Sequence, residues 1–458
     1  MSSKAHMLLT ASALALTALL ASCGVTSSPR ATAATSADAV MTVLEPGALS
    51  DAQLEATYGG TLVTRTPTFA LLTVSADAGV MTAQGSKTRI EKNRKVYRVS
   101  QGHGQTSVSG SGTVGLWGNG SVGVWGNGSV GVWGNGSVGV WGNGSVGVWG
   151  NGSVGVWGNG SVGVWGNGRY EPIPQNSDPW QQIALDDVQA GRRASGNGMT
   201  VAVIDTGVDL NHPALAGGFT EPSTWHDFVD GDATPQDEGE LGHGLTGHGT
   251  EVAGIVAQVA PAAKLMPLRV LGADGSGDVA SVAAAIVWAV DHGADVINLS
   301  LGSDQAMTAV SQAIAYANSQ GVVVAAAAGN TGAEGIDYPA AEFAAQPMNV
   351  AVGSVDLHDV KSTFSQYGAL ELLAPGEAIY GPAPQERFAA WSGTSMSAPV
   401  VAGGLALALE GGATGAQAAA ALTGTATSVN GVQGNAAYAG KLGAGRIDLN
   451  AALTSLGR

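Results

Sequence analysis

An aspartate, a histidine and a serine occupy positions from which they could act together on a substrate. Asp205 ends the apolar run "MTVAVID", and His248 opens "HGTEVAGIVAQVA". Ser395 lies in "SGTSMSAPVVAGGLALALE", where Pro399 predicts a first helical turn. A serine hydroxyl attacks a carbonyl only when a base removes its proton. Imidazole titrates near neutrality and a carboxylate can hold its tautomer, so the three residues predict nucleophilic acyl transfer.

Short apolar runs that alternate with helix-like segments predict the scaffold for these residues. The runs are "MTVAVID", "AKLMPLRVL", "ADVINLSLG", "GVVVAAAAG", "MNVAVGSVD" and "ALELLAPG". Continuous apolar strands between helices are typical of a parallel sheet that is covered on both faces. Reactive groups of such sheets collect at the carboxyl ends of the strands. We therefore expect Asp205 at a strand tip, with His248 and Ser395 at helix starts where the dipole favours an oxyanion.

The motifs around these residues resemble those of the subtilisin-like serine proteases. They are "VAVIDTGVD", "GHGTEVAG", "INLSLG", "AAAAGNTG" and "SGTSMSAPVVAG", and they follow the family's order Asp, His, Ser. The resemblance covers roughly residues 178–458 and implies an α/β fold, a subtilisin-like domain with a mostly parallel sheet flanked by helices. It implies that Asp205, His248 and Ser395 form the catalytic triad, without a catalytic cofactor. It also implies that Asn330 and the Ser395 amide bind the oxyanion.

The same resemblance assigns the walls of a substrate cleft. Two stretches, "SLG" and "GADGSG", would each pair with one side of an extended peptide. The predicted substrate-binding residues are Ser300, Leu301, Gly302, Gly275 and Asp337. Asp337 precedes Tyr338-Pro339 and would lie near the base of the primary specificity pocket, where it would favour Arg or Lys before the scissile bond. The alternative is a solvated aspartate in a loop.

The stretch "DFVDGDATPQ" resembles a calcium loop of the thermitase branch of this family. Its oxygen donors stand at the short spacing that suits a hard cation. The predicted ligands are Asp227, Asp230, Asp232, Thr234 and Gln236. Compared with that branch, seven extra residues separate the loop from His248. The alternative is an acidic surface turn without a metal.

The N-terminus predicts export from the cytoplasm. Lys4 precedes the apolar stretch "MLLTASALALTALLA", which is typical of a secretion signal. The stretch "LASC" ends at Cys23, the only cysteine of the chain, and resembles the bacterial lipoprotein box, in which the cysteine is lipidated. The alternative is an ordinary signal peptide. We expect an extracytoplasmic, membrane-anchored lipoprotein precursor that has no disulfide within the chain.

Composition divides the chain into a signal peptide (1–22) and three further parts. Residues 23–104 carry 8 basic and 6 acidic residues, and this small α+β unit resembles, more weakly, the family's inhibitory prosegments. Residues 105–168 are uncharged and repeat the octapeptide "GVWGNGSV", which predicts a flexible spacer or, as the alternative, a compact β-array with an adhesive surface. Residues 169–458 carry 10 basic and 29 acidic residues and form the predicted catalytic domain.

These observations predict a monomeric serine endopeptidase that is made as a zymogen. Its partners would be protein or peptide substrates, its own prosegment, and the membrane through a lipid on Cys23. Self-cleavage would release the mature enzyme outside the cell. The net charge of −16 argues against nucleic acid as a partner, because phosphates are repelled. The alternative function is a surface-anchored protein that binds cell wall or glycan through the repeat.

Overall fold

The computed structural model of the protein describes five stretches of the chain and the seven strands of the octapeptide repeat. The stretches are residues 39–75, 87–97, 174–240, 243–344 and 346–458. The predicted signal peptide and lipidation site Cys23 lie outside the described residues. Within the described stretches, no helix combines the length and the apolar character that a membrane span requires.

The described residues before the repeat form a small unit, here called the N-terminal unit. Its elements are β1 (Ala39–Leu44), α1 (Asp51–Tyr58), β2 (Thr61–Arg65), β3 (Phe69–Val74), β4 (Thr88–Lys92) and β5 (Lys95–Tyr97). Four strands form an antiparallel sheet in the order β2-β3-β1-β4. A capping box of Ser50 and Gln53 begins α1, and Gly59 ends it with a left-handed φ of 70°. The helix and strands predicted for this region are therefore present.

The octapeptide repeat forms strands that alternate between two parallel sheets. They are β6 (Val114–Trp117), β7 (Gly120–Trp125), β8 (Val130–Trp133), β9 (Gly136–Trp141), β10 (Val146–Trp149), β11 (Ser153–Trp157) and β12 (Val162–Trp165). One sheet has the order β12-β10-β8-β6 and the other β11-β9-β7. The register sets each residue opposite its equivalent two octapeptides away, as Trp133 stands opposite Trp149. In this pairing, identical strands satisfy each other's backbone hydrogen-bonding groups.

The C-terminal part, described from residue 174 onward, is built on a seven-stranded sheet. Its elements are α2 (Ser177–Gln182), α3 (Leu185–Ala190), β13 (Thr200–Asp205), β14 (His226–Asp227), α4 (His248–Val259), β15 (Lys264–Arg269), β16 (Ser276–Asp278), α5 (Val279–Asp291), β17 (Val296–Leu299), α6 (Thr308–Ser319), β18 (Val323–Ala327), β19 (Asn349–Val355), β20 (Leu372–Pro375), β21 (Ile379–Ala383), β22 (Arg387–Trp391), α7 (Thr394–Leu409), α8 (Gly415–Gly424) and α9 (Leu449–Ser455). The sheet order is β14-β15-β13-β17-β18-β19-β20, and every neighbouring pair is parallel. The predicted parallel sheet is confirmed.

The central strand β13 shows why the apolar runs of the sequence are continuous. Val201 and Val203 belong to the hydrophobic core that contains α4 and α7. Ala202 and Ile204 belong to a second core, which contains α5 and α6. Since successive side chains of a strand point to opposite faces, both faces of the sheet are buried under helices.

The N-terminal unit packs against α5 and α6 on one face of this sheet. Val40, Phe69 and Leu71 join the core of those two helices. The basic stretch before the repeat forms two strands that belong to different sheets. β4 pairs with β1, whereas β5 pairs antiparallel with β16, so that Tyr97 stands opposite Ser276. The break allows the chain to leave its own sheet and reach the C-terminal part.

Candidate active site

The three residues predicted to act on a substrate are all buried at the carboxyl side of the sheet. Asp205 is the last residue of β13, His248 is the first residue of α4, and Ser395 is the second residue of α7. Their exposed fractions are 0%, 1% and 2%. Ser395 contacts Ser300, which follows β17, and β17 is the neighbour of β13 in the sheet. One strand end and two helix starts therefore supply the three side chains at the carboxyl side of the sheet.

His248 and Asp205 form a direct hydrogen bond. His248 Nδ1 lies 2.7 Å from Asp205 Oδ1, which also accepts the backbone N–H of Thr206 at 2.8 Å. The ring edge of Trp391 packs against the imidazole, with centroids 5.8 Å apart. The other imidazole nitrogen, Nε2, is buried and has no hydrogen-bond partner within the described residues. With Nδ1–H donated to the carboxylate, Nε2 is the atom that can accept a proton.

The glycine after the histidine allows α4 to approach the end of β13. A Cβ at Gly249 would lie only 2.1 Å from the carbonyl oxygen of Gly207. The Gly249 N–H instead donates to Thr206 Oγ1 at 2.9 Å. The upstream pair His243-Gly244 has another role, since the His243 side chain is 77% exposed beside Glu240. His243 is thus an exposed loop residue.

The helix that carries Ser395 begins earlier than its proline predicts. Pro399 was expected in the first turn, but α7 begins at Thr394 and contains the proline in its interior. A proline lacks the N–H that would bond to the carbonyl four residues earlier, which is that of Ser395. Ser300 Oγ donates to this carbonyl at 2.8 Å, and Ser395 Oγ donates to the Ser300 carbonyl at 3.3 Å. Ser300, predicted as a substrate-edge residue, therefore also holds the start of α7.

Asn330 lies beside the first turn of α7. Its Oδ1 accepts the N–H of Thr394 at 2.8 Å and the Thr394 hydroxyl at 3.0 Å. The Asn330 side-chain nitrogen, Nδ2, then faces Gly393. A Cβ on that glycine would lie 3.1 Å from Nδ2. These two bonds fix the amide plane and turn Nδ2 toward the helix start. The N–H of Ser395 belongs to the same first turn, in which N–H groups have no acceptor within the helix.

The predicted substrate edges differ in what they contact. β16 follows Gly275 and is paired with β5, so an extended segment of the chain already occupies this edge. On the other edge, Leu301 and Gly302 are buried, and the next residue, Ser303, forms an antiparallel bridge with Tyr338. Gly275 has a left-handed φ of 77° and immediately precedes β16.

Asp337 lies against the segment that leads to Asn330. Its N–H donates to the carbonyl of Ala328 at 2.8 Å, and its Oδ1 accepts Gln366 Nε2 at 3.0 Å. Burial raises the pKa of the Asp337 carboxyl, the bond from Gln366 lowers it, and the charge of Asp304 raises it further. The carboxylate is thus partly buried and held by Gln366, and its place in a specificity pocket stays a prediction.

The acidic loop predicted to bind calcium is held by an arginine. Arg269 Nη1 lies 2.7 Å from Asp227 Oδ2 and 2.6 Å from Asp230 Oδ2, and its Nη2 lies 3.1 Å from Glu238. Asp227 Oδ1 accepts two backbone N–H groups of its own turn.

Two of the other three predicted ligands use a side-chain oxygen to accept a backbone N–H. Asp232 Oδ1 accepts the N–H of Thr234, and Gln236 Oε1 accepts the N–H of Leu210. Within the described stretches no group of three His, Cys, Asp or Glu side chains could hold a metal ion. The loop as arranged does not fit calcium, because a guanidinium already neutralises its carboxylates and would repel a cation. Calcium binding stays a prediction of the sequence.

Two buried acids near α4 carry no signal in the sequence. Asp237 accepts hydrogen bonds from Gly247 and Thr250, and burial raises its pKa to about 7. Glu251 is fully buried, and neither carboxylate oxygen has a hydrogen-bond partner in the described part of the chain. The contacts of both residues come from tertiary packing, so no local spacing could have revealed them.

Comparison with known proteins identifies the class to which this fold and site belong. The model of the Subtilase family matches residues 196–445, which include every element that carries the site. The chain belongs to the subtilase family, and it is a serine endopeptidase with a subtilisin-like fold.

Two relatives compared by sequence agree with this assignment. The chain is 42% identical over 254 residues to thermitase of Thermoactinomyces vulgaris, across 53% of this chain and 86% of the relative. It is 41% identical over 247 residues to subtilisin BL of Lederbergia lenta, across 50% and 84%. A crystal structure of a cold adapted subtilisin-like serine proteinase matches with a TM-score of 0.47 and 33% identity, across 56% of this chain and 89% of that one.

Proposed function

We propose that the chain is an extracytoplasmic endopeptidase in which Ser395 is the nucleophile, His248 the general base and Asp205 the residue that orients the base. The observation that carries this proposal is the 2.7 Å contact between His248 Nδ1 and Asp205 Oδ1. It leaves Nε2 as the proton acceptor at the edge of the sheet where Ser395 begins its helix. The family supplies the reaction class, which is peptide-bond hydrolysis.

The reaction begins when the Ser395 hydroxyl turns from the Ser300 carbonyl toward Nε2 of His248. Loose or misdirected contacts of this kind are common before a substrate is bound. Nε2 accepts the proton while Oγ bonds to the peptide carbonyl carbon, and Asp205 stabilises the imidazolium. His248 then protonates the leaving amine, and an acyl-enzyme remains. Water repeats the sequence and releases the acid product.

The negative oxygen that forms in each addition step requires hydrogen-bond donors. We assign this role to Asn330 Nδ2 and the N–H of Ser395, both at the start of α7. The bonds from Thr394 to Asn330 Oδ1 support the assignment, because they hold the amide before the charge develops.

Substitution of three of the proposed residues tests the function. We expect Ser395→Ala and His248→Ala to lower kcat on a peptide amide by about 10⁶, the size of the loss in subtilisin itself. Asn330→Ala should lower kcat by about 10²–10³, again a value known from subtilisin. His243→Ala is the matched control for His248→Ala and should keep full activity, since its side chain is exposed. Full activity of Ser395→Ala would refute the proposed nucleophile.

We also propose that Asp337 makes the enzyme prefer a basic residue before the scissile bond. A half-buried carboxylate held by Gln366 is poised to pair with an arginine or lysine side chain. The test compares kcat/KM on peptides that differ only in Arg, Phe or Glu at that position. Asp337→Asn should reduce the Arg preference by about tenfold or more, and the exposed neighbour Asp304 is the control for the same substitution. A Phe preference that Asp337→Asn leaves unchanged would exclude this role.

Residues 23–104 are proposed to be an inhibitory prosegment. Two contacts support this proposal: β5 lies on the β16 edge, and Glu91 accepts the N–H groups of Thr308 and Ala309 at 3.0 and 2.7 Å. The second contact caps α6, whose preceding residue offers no side-chain cap. Val96, the middle residue of β5 and the partner of Gly277 in the pairing, is fully buried. A peptide segment that occupies the substrate edge excludes substrate.

The lipid on Cys23 would then belong to the prosegment. A cut between the prosegment and the C-terminal part would separate the enzyme from its anchor. We propose that the chain is a membrane-anchored zymogen that releases a soluble, acidic protease on maturation.

A further inference from the structure

The residues just before α4 pack against the start of the β16 edge, a contact to which the proposed mechanism gives no role. The N–H of Leu245 donates to the carbonyl of Ala273 at 2.7 Å, and the carbonyl of Leu245 accepts the N–H of His248 at 2.9 Å. The Leu245 side chain is buried, with an exposed fraction of 4%. One residue therefore joins the first residue of α4 to the segment that leads into β16.

The side chain of Leu245 lies over Gly275, the residue that precedes β16. A Cβ at Gly275 would lie 2.3 Å from Leu245 Cδ1 and 2.7 Å from its Cγ. Gly244 allows the two segments to approach equally closely, since a Cβ there would lie 2.3 Å from the carbonyl oxygen of Ala273. Both glycines have a positive φ, 57° for Gly244 and 77° for Gly275. The leucine thus fills the space in which a side chain of residue 275 would stand.

The pairing of β5 shows which residue of a bound peptide would meet this leucine. β5 runs antiparallel to β16, with Tyr97 opposite Ser276. A substrate that replaces β5 in this register places its next residue opposite Gly275. Residues that stand directly opposite each other in antiparallel strands point their side chains to the same face, with Cβ atoms about 4.5–5.5 Å apart. The substrate residue opposite Gly275 therefore points its side chain toward Leu245.

We propose that Leu245 determines specificity: its side chain forms an apolar wall against the substrate residue opposite Gly275, and this position accepts a small apolar residue in preference to a large or charged one. The inference rests on the proposed function, in which an extended peptide binds along the β16 edge. A large side chain would compete with Leu245 for the same space. A charged side chain would lose water beside a leucine that offers no hydrogen-bond partner.

The test measures kcat/KM of the enzyme obtained from the full chain, on peptides that vary one residue at a time before the scissile bond. In the wild type, one position should prefer Ala to Phe and Glu by about tenfold or more. Leu245→Ala should raise kcat/KM for Phe at that position by about tenfold and leave the other positions unchanged. Leu422→Ala is the matched control, because Leu422 is a buried leucine of the same core and belongs to α8. It should lower the melting temperature, as Leu245→Ala does, but leave every preference unchanged.

Leu245→Val keeps the proposal testable if Leu245→Ala does not fold. It removes one methylene and should raise kcat/KM for Phe at the same position by a smaller factor. Labelling with a fluorophosphonate counts reactive serines in every sample. Wild-type enzyme that neither hydrolyses peptide nor takes the label would overturn the proposed function. Active enzyme whose preferences the folded Leu245 variants leave unchanged, or alter equally at every position, would overturn this inference alone.

Discussion

Ser395 illustrates how strongly one residue of the site depends on another. Its carbonyl loses a helix partner to Pro399, and the Ser300 hydroxyl replaces that partner at 2.8 Å. Asn298 Nδ2 in turn donates to the Ser300 hydroxyl at 3.0 Å. The proposed nucleophile is therefore positioned through a side chain just after the neighbouring strand β17 as well as through its own helix. Ser300 thus has a structural role in addition to the predicted contact with substrate.

Glu251 leads to a prediction about stability at alkaline pH. The Glu251 carboxyl faces the backbone of Gly381, since a Cβ on that glycine would lie 2.8 Å from the carboxyl carbon. Burial raises the pKa of Glu251 well above the usual value. Between the unfolded and folded pKa values the native state holds a proton that the unfolded state releases, so stability falls as pH rises. Glu251→Gln removes this loss, which reaches at most about 1.4 kcal/mol per pH unit.

Thermal melting in a Ser395→Ala background measures this effect without self-digestion. Glu251→Gln should melt above its parent at pH 8, and the difference should shrink toward pH 5. The exposed residue Glu377 provides the control. Glu377→Gln should leave the difference in melting temperature between pH 8 and pH 5 unchanged. Equal melting of Glu251→Gln and its parent at both pH values would contradict the neutral buried carboxyl.

The residues with a proposed chemical role stand in recognisable sequence patterns, whereas the buried residues around them do not. Asp205, His248 and Ser395 each stand at the junction of an apolar run and a glycine-rich motif. Asp237 and Glu251 stand in no such pattern, because their environments are made by α4, Gly381 and the loop before α4 after the chain has folded. Burial by distant segments is not encoded in local spacing.

Among the elements, the long buried strands were predictable and the short or irregular ones were not. β13, β17 and β18 are continuous apolar runs, because both faces of the sheet are covered. The hairpin of β21 and β22 was missed, since its turn uses Gln385 and Glu386 with φ of 65° and 59° in place of the usual Asn-Gly signal. β14 has two residues, which is too short for any periodicity.

The loop after β14 carries a prediction about calcium and Arg269. Asp227 is buried and depends on the guanidinium for its counter-charge. Arg269→Gln leaves this buried carboxylate without its counter-charge and should cost about 3–5 kcal/mol of stability. The freed carboxylates should then bind calcium more strongly. The difference in melting temperature between calcium and excess chelator should be small in the wild type and larger in Arg269→Gln.

Lys264 supplies the control for this experiment. It is an exposed cation that donates to the carbonyl of Gly217, so Lys264→Gln should leave both the stability and the calcium response almost unchanged. A calcium response that is as large in the wild type as in Arg269→Gln would show that the metal binds without displacing the arginine. The predicted ligand set of the loop would then be supported.

On the scale of the whole molecule, the N-terminal unit and the C-terminal part share a hydrophobic core and a strand pairing. The segment of residues 23–104 has a small positive net charge, whereas residues 169–458 are strongly acidic. Opposite charge favours their association, and salt weakens it. The proposed prosegment would therefore bind the enzyme through apolar, backbone and electrostatic contacts together.

Cell fractionation tests the proposed maturation. Wild-type chain should appear as a soluble fragment that contains the C-terminal part, and peptide hydrolysis should rise as the full-length chain disappears. Ser395→Ala should remain full-length in the membrane fraction, and Cys23→Ala should remove full-length Ser395→Ala from that fraction. Mature wild-type enzyme that still carries lipid would exclude release, and full activity of the uncut chain would exclude inhibition by the prosegment.

Because the strands of the octapeptide repeat alternate between two sheets, it matters whether copies are lost or gained in even or odd numbers. Consecutive octapeptides belong to alternate sheets, and each strand pairs with the strand two copies away. Loss or gain of two octapeptides shortens or lengthens the array and keeps every later strand in its own sheet. Loss or gain of one transfers every later strand to the other sheet, so the chain leaves the array toward Pro174 from the opposite side. Genetic slippage of this repeat would thus be tolerated more readily in even steps than in odd ones.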